Sequence, residues 1–336
     1  MSFNYAAVFP AERLAIVSAA FDKAFGKGLV SEATLLTGGL SSAAVYKVIA
    51  DNRAYVMKLD APGNHSTTAS YERLRLAAGA GIAPALRYCS PEEGITISEF
   101  IASKPIRSTF TGDVLAEKLA TAIKQTHAIP YTTPGEDMKH AVDNIVAGFR
   151  SSQIVTGPVP EECLAGYEKI KAVYPWHDTD KVFSHNDLNP TNILCDGAGI
   201  WIIDWDTAFL NDRYVDLASV ANFFIHSPEQ EAVFLKTYFG EVSAYQAARF
   251  FIMRQVSRMI YSLMMLQLAA KNKPADVEVD AEVAGVYLKD VGPMLGSGRL
   301  SLAGYEGQLM YGKALMNEVV GEMRRERFEE ALGRMG

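Results

Sequence analysis

The sequence predicts an α+β protein in two lobes, a small N-terminal sheet lobe and a larger, mainly helical C-terminal lobe. Three observations predict it. Short apolar runs with strand character fall in the first hundred residues and again near residues 182–206. Helical periodicity dominates elsewhere. The 336 residues, 49% of them apolar, can fill two cores and carry no repeat or low-complexity tract.

Residues 11–25 place Leu14, Val17, Phe21 and Phe25 on one helical face. After the glycine pair Gly38-Gly39, VYKVIA (45–50) and AYVMKL (54–59) flank a polar turn at Asp51-Asn52 and read as a strand hairpin. In the second strand Tyr55, Met57 and Leu59 share one face. Val56 and Lys58 share the other, which sets a long cation among apolar neighbours. Residues 66–78 read as a helix that contains Glu72, and Gly79 and Gly81 suit its end. GITISEFI (94–101) reads as another strand. A boundary is expected between Ala102 and Thr111, dividing the chain into lobes 1–102 and 103–336. Beyond it, Leu115, Leu119 and Ile123 recur at helical spacing. Further helices are expected at 137–149, at 160–173 and from Tyr214 onward, with 305–332 as one helix or two. Around Val182 the pattern changes to short apolar runs beside clustered polar residues, VFSHNDLNPTNIL and WIIDWD, which suit short strands at the mouth of a cleft.

Composition excludes several classes. The net charge is -7 and the basic residues are scattered, so no nucleic-acid surface is expected. Cys89, Cys163 and Cys195 form neither a CxxC metal pattern nor a disulfide framework. The N-terminus lacks the pattern of a secretory signal. The most apolar stretch, 250–270, is interrupted by Arg254 and Arg258, which are costly in hydrocarbon, and so reads as a buried helix rather than a membrane span. A cytoplasmic protein is expected.

The segment His185-Asn186-Asp187-Leu188-Asn189-Pro190-Thr191-Asn192, followed by Ile202-Ile203-Asp204-Trp205-Asp206, carries the strongest chemical signal. Phosphoryl transfer needs a carboxylate to orient the attacking hydroxyl and accept its proton, oxygen ligands for magnesium, and cations against the phosphates. Asp187 suits the first task. Asn192 and Asp204 suit the second, because magnesium prefers oxygen ligands. Ile193, Leu194, Ile202 and Ile203 would anchor these polar tips in strands. His185 reads as a structural hydrogen-bonding residue. Asp206 and Asp212 could extend the acidic site, while Asp216 reads as a brace or helix cap.

Together the two motifs resemble the aminoglycoside phosphotransferase and choline/ethanolamine kinase family, relatives of the protein kinases, over about residues 30–300. The resemblance implies a bilobal protein-kinase-like fold that uses ATP and Mg2+ to phosphorylate the hydroxyl of a small acceptor. It implies that Asp187 is the catalytic base and that Asn192 and Asp204 are magnesium ligands. Lys58 matches the phosphate-binding lysine, Glu72 its helix-borne ion-pair partner, and residues 94–101 the strand leading to the adenine-binding segment. The nucleotide loop departs from the GxGxxG of protein kinases, since Gly38-Gly39-Leu40-Ser41-Ser42 stands there. Ser41 and Ser42 are candidate phosphate contacts through hydroxyls or backbone donors. No DFG motif or APE-ended activation segment follows Asp204, which disfavours a protein substrate. Trp205 between two acids resembles the choline/ethanolamine form and tilts the expected acceptor toward an amino alcohol. Aminoglycosides, other small alcohols and a noncatalytic nucleotide-binding role are the alternatives.

Overall fold

The protein is described here from a computed structural model covering residues 4–36, 43–61, 67–178 and 180–335. It has an N-terminal sheet lobe and a mainly helical C-terminal lobe, as expected. The sheet is antiparallel and contains β1 (Val30–Leu36), β2 (Ala44–Ala50), β3 (Arg53–Leu59), β4 (Leu86–Ser90) and β5 (Ile95–Glu99), in the order β1-β2-β3-β5-β4. The expected hairpin is β2–β3. Its two turn residues, Asp51 and Asn52, take φ of 47° and 57°, the left-handed region that short polar side chains tolerate and a tight hairpin requires.

The alternation read in the second strand sets its orientation. Tyr55, Met57 and Leu59 are buried with Tyr46, Val48, Ile95 and Ile97 against Val17, Ala20 and Phe21 of α1 (Leu14–Phe25). Lys58, on the opposite face, pairs across the sheet with Val45 on one side and Thr96 on the other. β1 and β4 were not anticipated. Both are edge strands; in β1 only Val30 and Ala33 are buried, and no residue of β4 is, so neither shows clean alternation.

Helix α2 (Thr68–Gly79) is capped by Thr67, whose hydroxyl accepts from the Ser70 N–H at 3.2 Å. After the single turn α3 (Ile106–Thr109), α4 (Gly112–His127) buries the predicted Leu115, Leu119 and Ile123 stripe. The chain separates into two compact units, Met1–Tyr131 with His185–Phe209, and Thr132–Ser184 with Leu210–Gly336. The segment bearing both polar motifs therefore belongs to the same unit as the five-stranded sheet. There β7 (Ile193–Cys195) and β8 (Ile200–Ile202) form an antiparallel ribbon.

The second unit is largely helical: α5 (Met138–Ser152), α6 (Pro158–Val173), α7 (Arg213–Phe224), α8 (Pro228–Phe239), α9 (Ala244–Asn272), α10 (Leu288–Gly296), α11 (Tyr305–Met323) and α12 (Glu326–Gly333). β6 (Lys181–Ser184) and β9 (Phe209–Asp212) pair as a short ribbon. The apolar stretch 250–270 lies inside α9, where Arg254 donates to Glu231 at 2.7 Å and to Asn222 at 3.1 Å. Among the described residues no helix is long and apolar enough to cross a membrane. Helices α9 and α11 approach closely at Gly312. A Cβ there would sit 2.7 Å from Leu266 Cγ, and the Gly312 carbonyl accepts from Ser262 Oγ at 2.7 Å.

Asp212 belongs to this unit's own framework. One oxygen caps α7 through the Tyr214 N–H at 2.9 Å; the other accepts from Tyr174 Oη at 2.6 Å and Arg249 Nη2 at 2.8 Å. The Arg249 guanidinium lies 5.4 Å from the Tyr174 ring centre and 4.9 Å from that of Tyr214, and its side chain is only 4% exposed. Asp212 is therefore a brace, and it, not the fully buried Asp216, caps α7. Replacing Asp212 by Ala strands part of a buried cation. The urea midpoint of Asp212→Ala should drop by the equivalent of about 3–5 kcal/mol.

Candidate active site

Residues 185–192 form a loop held from inside by His185, which is fully buried. Its Nδ1 accepts from the Asp187 N–H at 3.3 Å, so the ring proton sits on Nε2, which donates to the Ile203 carbonyl at 3.0 Å. The imidazole thus ties the start of the Asp187 loop to the residue before Asp204. Trp205 packs edge-on against the same ring at 4.7 Å and donates its indole N–H to the Ile202 carbonyl at 3.1 Å. At 2% exposure, Trp205 is a support for the site.

Asp187 and Asn192 meet directly. Asn192 Nδ2 donates to Asp187 Oδ2 at 3.1 Å and to the Asp187 carbonyl at 2.9 Å, and Asn189 Nδ2 donates to Asp187 Oδ1 at 3.0 Å. With its NH2 group engaged, Asn192 keeps its carbonyl oxygen for another partner. The Asn192 main-chain carbonyl accepts from the Ile203 N–H at 3.0 Å, beyond the β7–β8 pair Ile193–Ile202. That pairing delivers Asp204 beside Asn192. Asp204 itself takes φ 66°, ψ 69°, a left-handed conformation, and opens a short 3-10 turn, Trp205–Thr207. Its carboxyl pKa is raised, first by the protein mass around it and then by Asp206 and Asp187, against the attraction of Lys58.

Lys58 reaches this turn from β3. Its ammonium lies 2.9 Å from Asp206 Oδ2, and its side chain is 27% exposed. Burial disfavours its charge, but Asp206, Asp204 and Asp60 outweigh that, so its pKa lies above the usual lysine value. Lys58, Asp204 and Asp206 line a cavity of about 70 Å³ with Ser70, Tyr71, Leu74, Thr96 and Trp205. The Asn192 amide oxygen and the Asp204 carboxylate suit a hard cation. Among the described residues no three His, Cys, Asp or Glu side chains gather as a metal cage.

The model of the phosphotransferase enzyme family matches residues 32–251, well over half of the chain. The chain belongs to that family. Among solved structures, a choline/ethanolamine kinase family protein from Mesorhizobium loti superposes with a TM-score of 0.64 at 18% identity, over 95% of this chain and 98% of that one. A choline kinase from Cryptosporidium parvum gives 0.61 at 12% identity, over 95% and 97%. A spectinomycin phosphotransferase, in complex with ADP and spectinomycin, gives 0.57 at 15%, over 78% and 90%. At these identities the likeness is one of fold. An uncharacterized protein of Metamycoplasma hominis is 35% identical over 80 residues, 23% of this chain and 16% of its own length.

For this member of the phosphotransferase family, the structure brings Asp187, Asn192, Asp204 and Lys58 to one side of the first unit. It does not bring Glu72 to Lys58. Glu72 is exposed on α2 and has no ion-pair partner among the described residues, and Asp206 takes the lysine instead. Helical phase explains the difference: α2 turns Ser70 and Tyr71 inward, and the neighbouring Glu72 points outward. Ser41 and Ser42 lie outside the described residues. The sequence reading missed Tyr71, which donates to the buried Asp60 at 2.9 Å, and Arg73, which donates to the Asp206 carbonyl at 2.8 Å. Neither belongs to a recognisable motif, and only the phase of α2 relative to β3 would have exposed them.

A carboxyl whose folded pKa is raised binds its proton more tightly in the native state. Stability therefore falls as pH climbs from the ordinary value of 3.8 through the raised one, and the loss persists at neutrality. Asparagine removes that charge and tolerates φ near 66°. Asp204→Asn should therefore raise Tm at pH 7, and scanning calorimetry should find the gain shrinking as pH falls through the raised pKa and lost below the ordinary value of 3.8.

Proposed function

We propose that this phosphotransferase moves the terminal phosphoryl group of ATP to the hydroxyl of a small molecule in the presence of magnesium, and that the acceptor is an amino alcohol of the choline or ethanolamine type. The observation that carries the reading is the Asn192–Asp187 contact: the Asn192 amide donates to the candidate base, while the Asn192 backbone pairs with Ile203, the residue before Asp204. Asp187, steadied by Asn189 and Asn192, would orient the acceptor hydroxyl and take its proton. Asn192 and Asp204 would hold magnesium, which would offset charge on the phosphates. Lys58 would add its ammonium to the same phosphates by leaving Asp206.

Support for an amino alcohol comes from two sides. Asp204-Trp205-Asp206 has the acid–tryptophan–acid form resembling choline/ethanolamine kinases. A choline/ethanolamine kinase family protein and a choline kinase each cover 95% of this chain, whereas an ethanolamine kinase covers 82% and the spectinomycin enzyme 78%.

ADP release should be measured with MgATP against choline, ethanolamine, an aminoglycoside and a simple sugar. Choline or ethanolamine should stimulate it most, and Asp187→Asn should lower the stimulated rate by roughly 10²–10⁴-fold while MgATP still binds. Near-normal transfer by Asp187→Asn would remove Asp187 from the chemistry. MgATP binding with no stimulation by any alcohol would mark a nucleotide-binding protein instead.

A further inference from the structure

Helix α2 reaches the acidic turn through an arginine. Arg73 Nη1 donates to the main-chain carbonyl of Asp206 at 2.8 Å, and its Nε donates to Tyr131 Oη at 3.2 Å. One planar guanidinium therefore joins α2, the 205–207 turn and the segment that follows α4. Asp206 in turn holds Lys58 at 2.9 Å. The links run in series: α2, Arg73, the Asp206 backbone, the Asp206 carboxylate, Lys58, β3. Glu72, about 100° away around the helix, takes no part and is exposed. A grip on a carbonyl fixes the turn itself. The turn begins at Asp204, whose left-handed backbone leaves little freedom to absorb a shift.

We propose that Arg73 is a positioning residue that couples α2 to the phosphate-binding end of the site, setting Lys58 by way of Asp206. This is the task the family resemblance assigns to Glu72. The consequence for nucleotide rests on the function proposed above, whereas the coupling to Lys58 does not. Lysine would be an incomplete substitute, because it cannot present two donors in the fixed geometry of the guanidinium.

The test uses the full chain as wild type, Arg73→Ala, Arg73→Lys and Glu72→Gln, with two readouts. The first, without nucleotide, is the rate at which acetic anhydride acetylates Lys58, followed by peptide mass spectrometry. The second is the Kd of MgATP by titration calorimetry. Arg73→Ala should change the Lys58 rate several-fold with other lysines unaffected, and should weaken MgATP roughly tenfold, the scale of one charge-assisted hydrogen bond. Arg73→Lys should recover part of both, and Glu72→Gln should leave both within about twofold of wild type. If Arg73→Ala fails to fold, Arg73→Lys decides alone, with a smaller shift at Lys58 expected. Wild-type Lys58 reactivity in the folded Arg73 variants overturns the proposal, as does an equal effect from Glu72→Gln. A Lys58 effect in a protein that never binds MgATP supports the coupling and overturns the assigned function instead.

Discussion

The site depends on one enclosed imidazole. His185 makes a hydrogen bond from each ring nitrogen, one with the backbone of Asp187 and one with the backbone of Ile203, and both partners stand next to residues that carry the chemistry. Each such bond contributes about 1 kcal/mol net, but leaving either backbone group buried and unpaired would cost more than the bond contributes. The arrangement is therefore specific rather than strong. It allows a loop and a strand end, joined by a short ribbon, to present two carboxylates and an amide in a fixed relation.

That relation is held against electrostatic resistance. Burial and acidic neighbours favour the neutral form of Asp204 and raise its pKa, and it occupies a backbone region most residues avoid. Lys58 compensates in part, through Asp206. The strain and the crowded charge sit at the same two or three residues, while the rest of the unit is ordinary: alternating strands over an apolar helix, and a buried tryptophan beneath the turn. Stable packing elsewhere permits this local cost.

Much of this was legible in the sequence where one short segment carries its own signal. Period-two alternation gave the face of β3 and hence the side on which Lys58 emerges, the Asp51-Asn52 pair gave the hairpin, and Ile193 and Ile202 anchored the polar motifs in paired strands. Features that depend on two distant segments were not legible. Whether Glu72 or the adjacent Arg73 reaches the acidic turn is decided by a rotation of α2 that its sequence leaves open. The division of labour between Asp206 and Asp212, six residues apart, was hidden for the same reason. One meets a strand lysine, and the other closes around an arginine 37 positions away. Edge strands β1 and β4 escaped because they bury too few residues to show an alternating pattern.

The contact at Gly312 bears on how the second unit can deform. With backbone resting on Leu266 and a hydroxyl clasped by a carbonyl, α9 and α11 have no room to ratchet past one another by a residue. Mechanical load on either helix must pass to both, so the pair works as a single beam. Interiors packed in this way compress little. Hydrostatic pressure should find its yielding points elsewhere in the molecule.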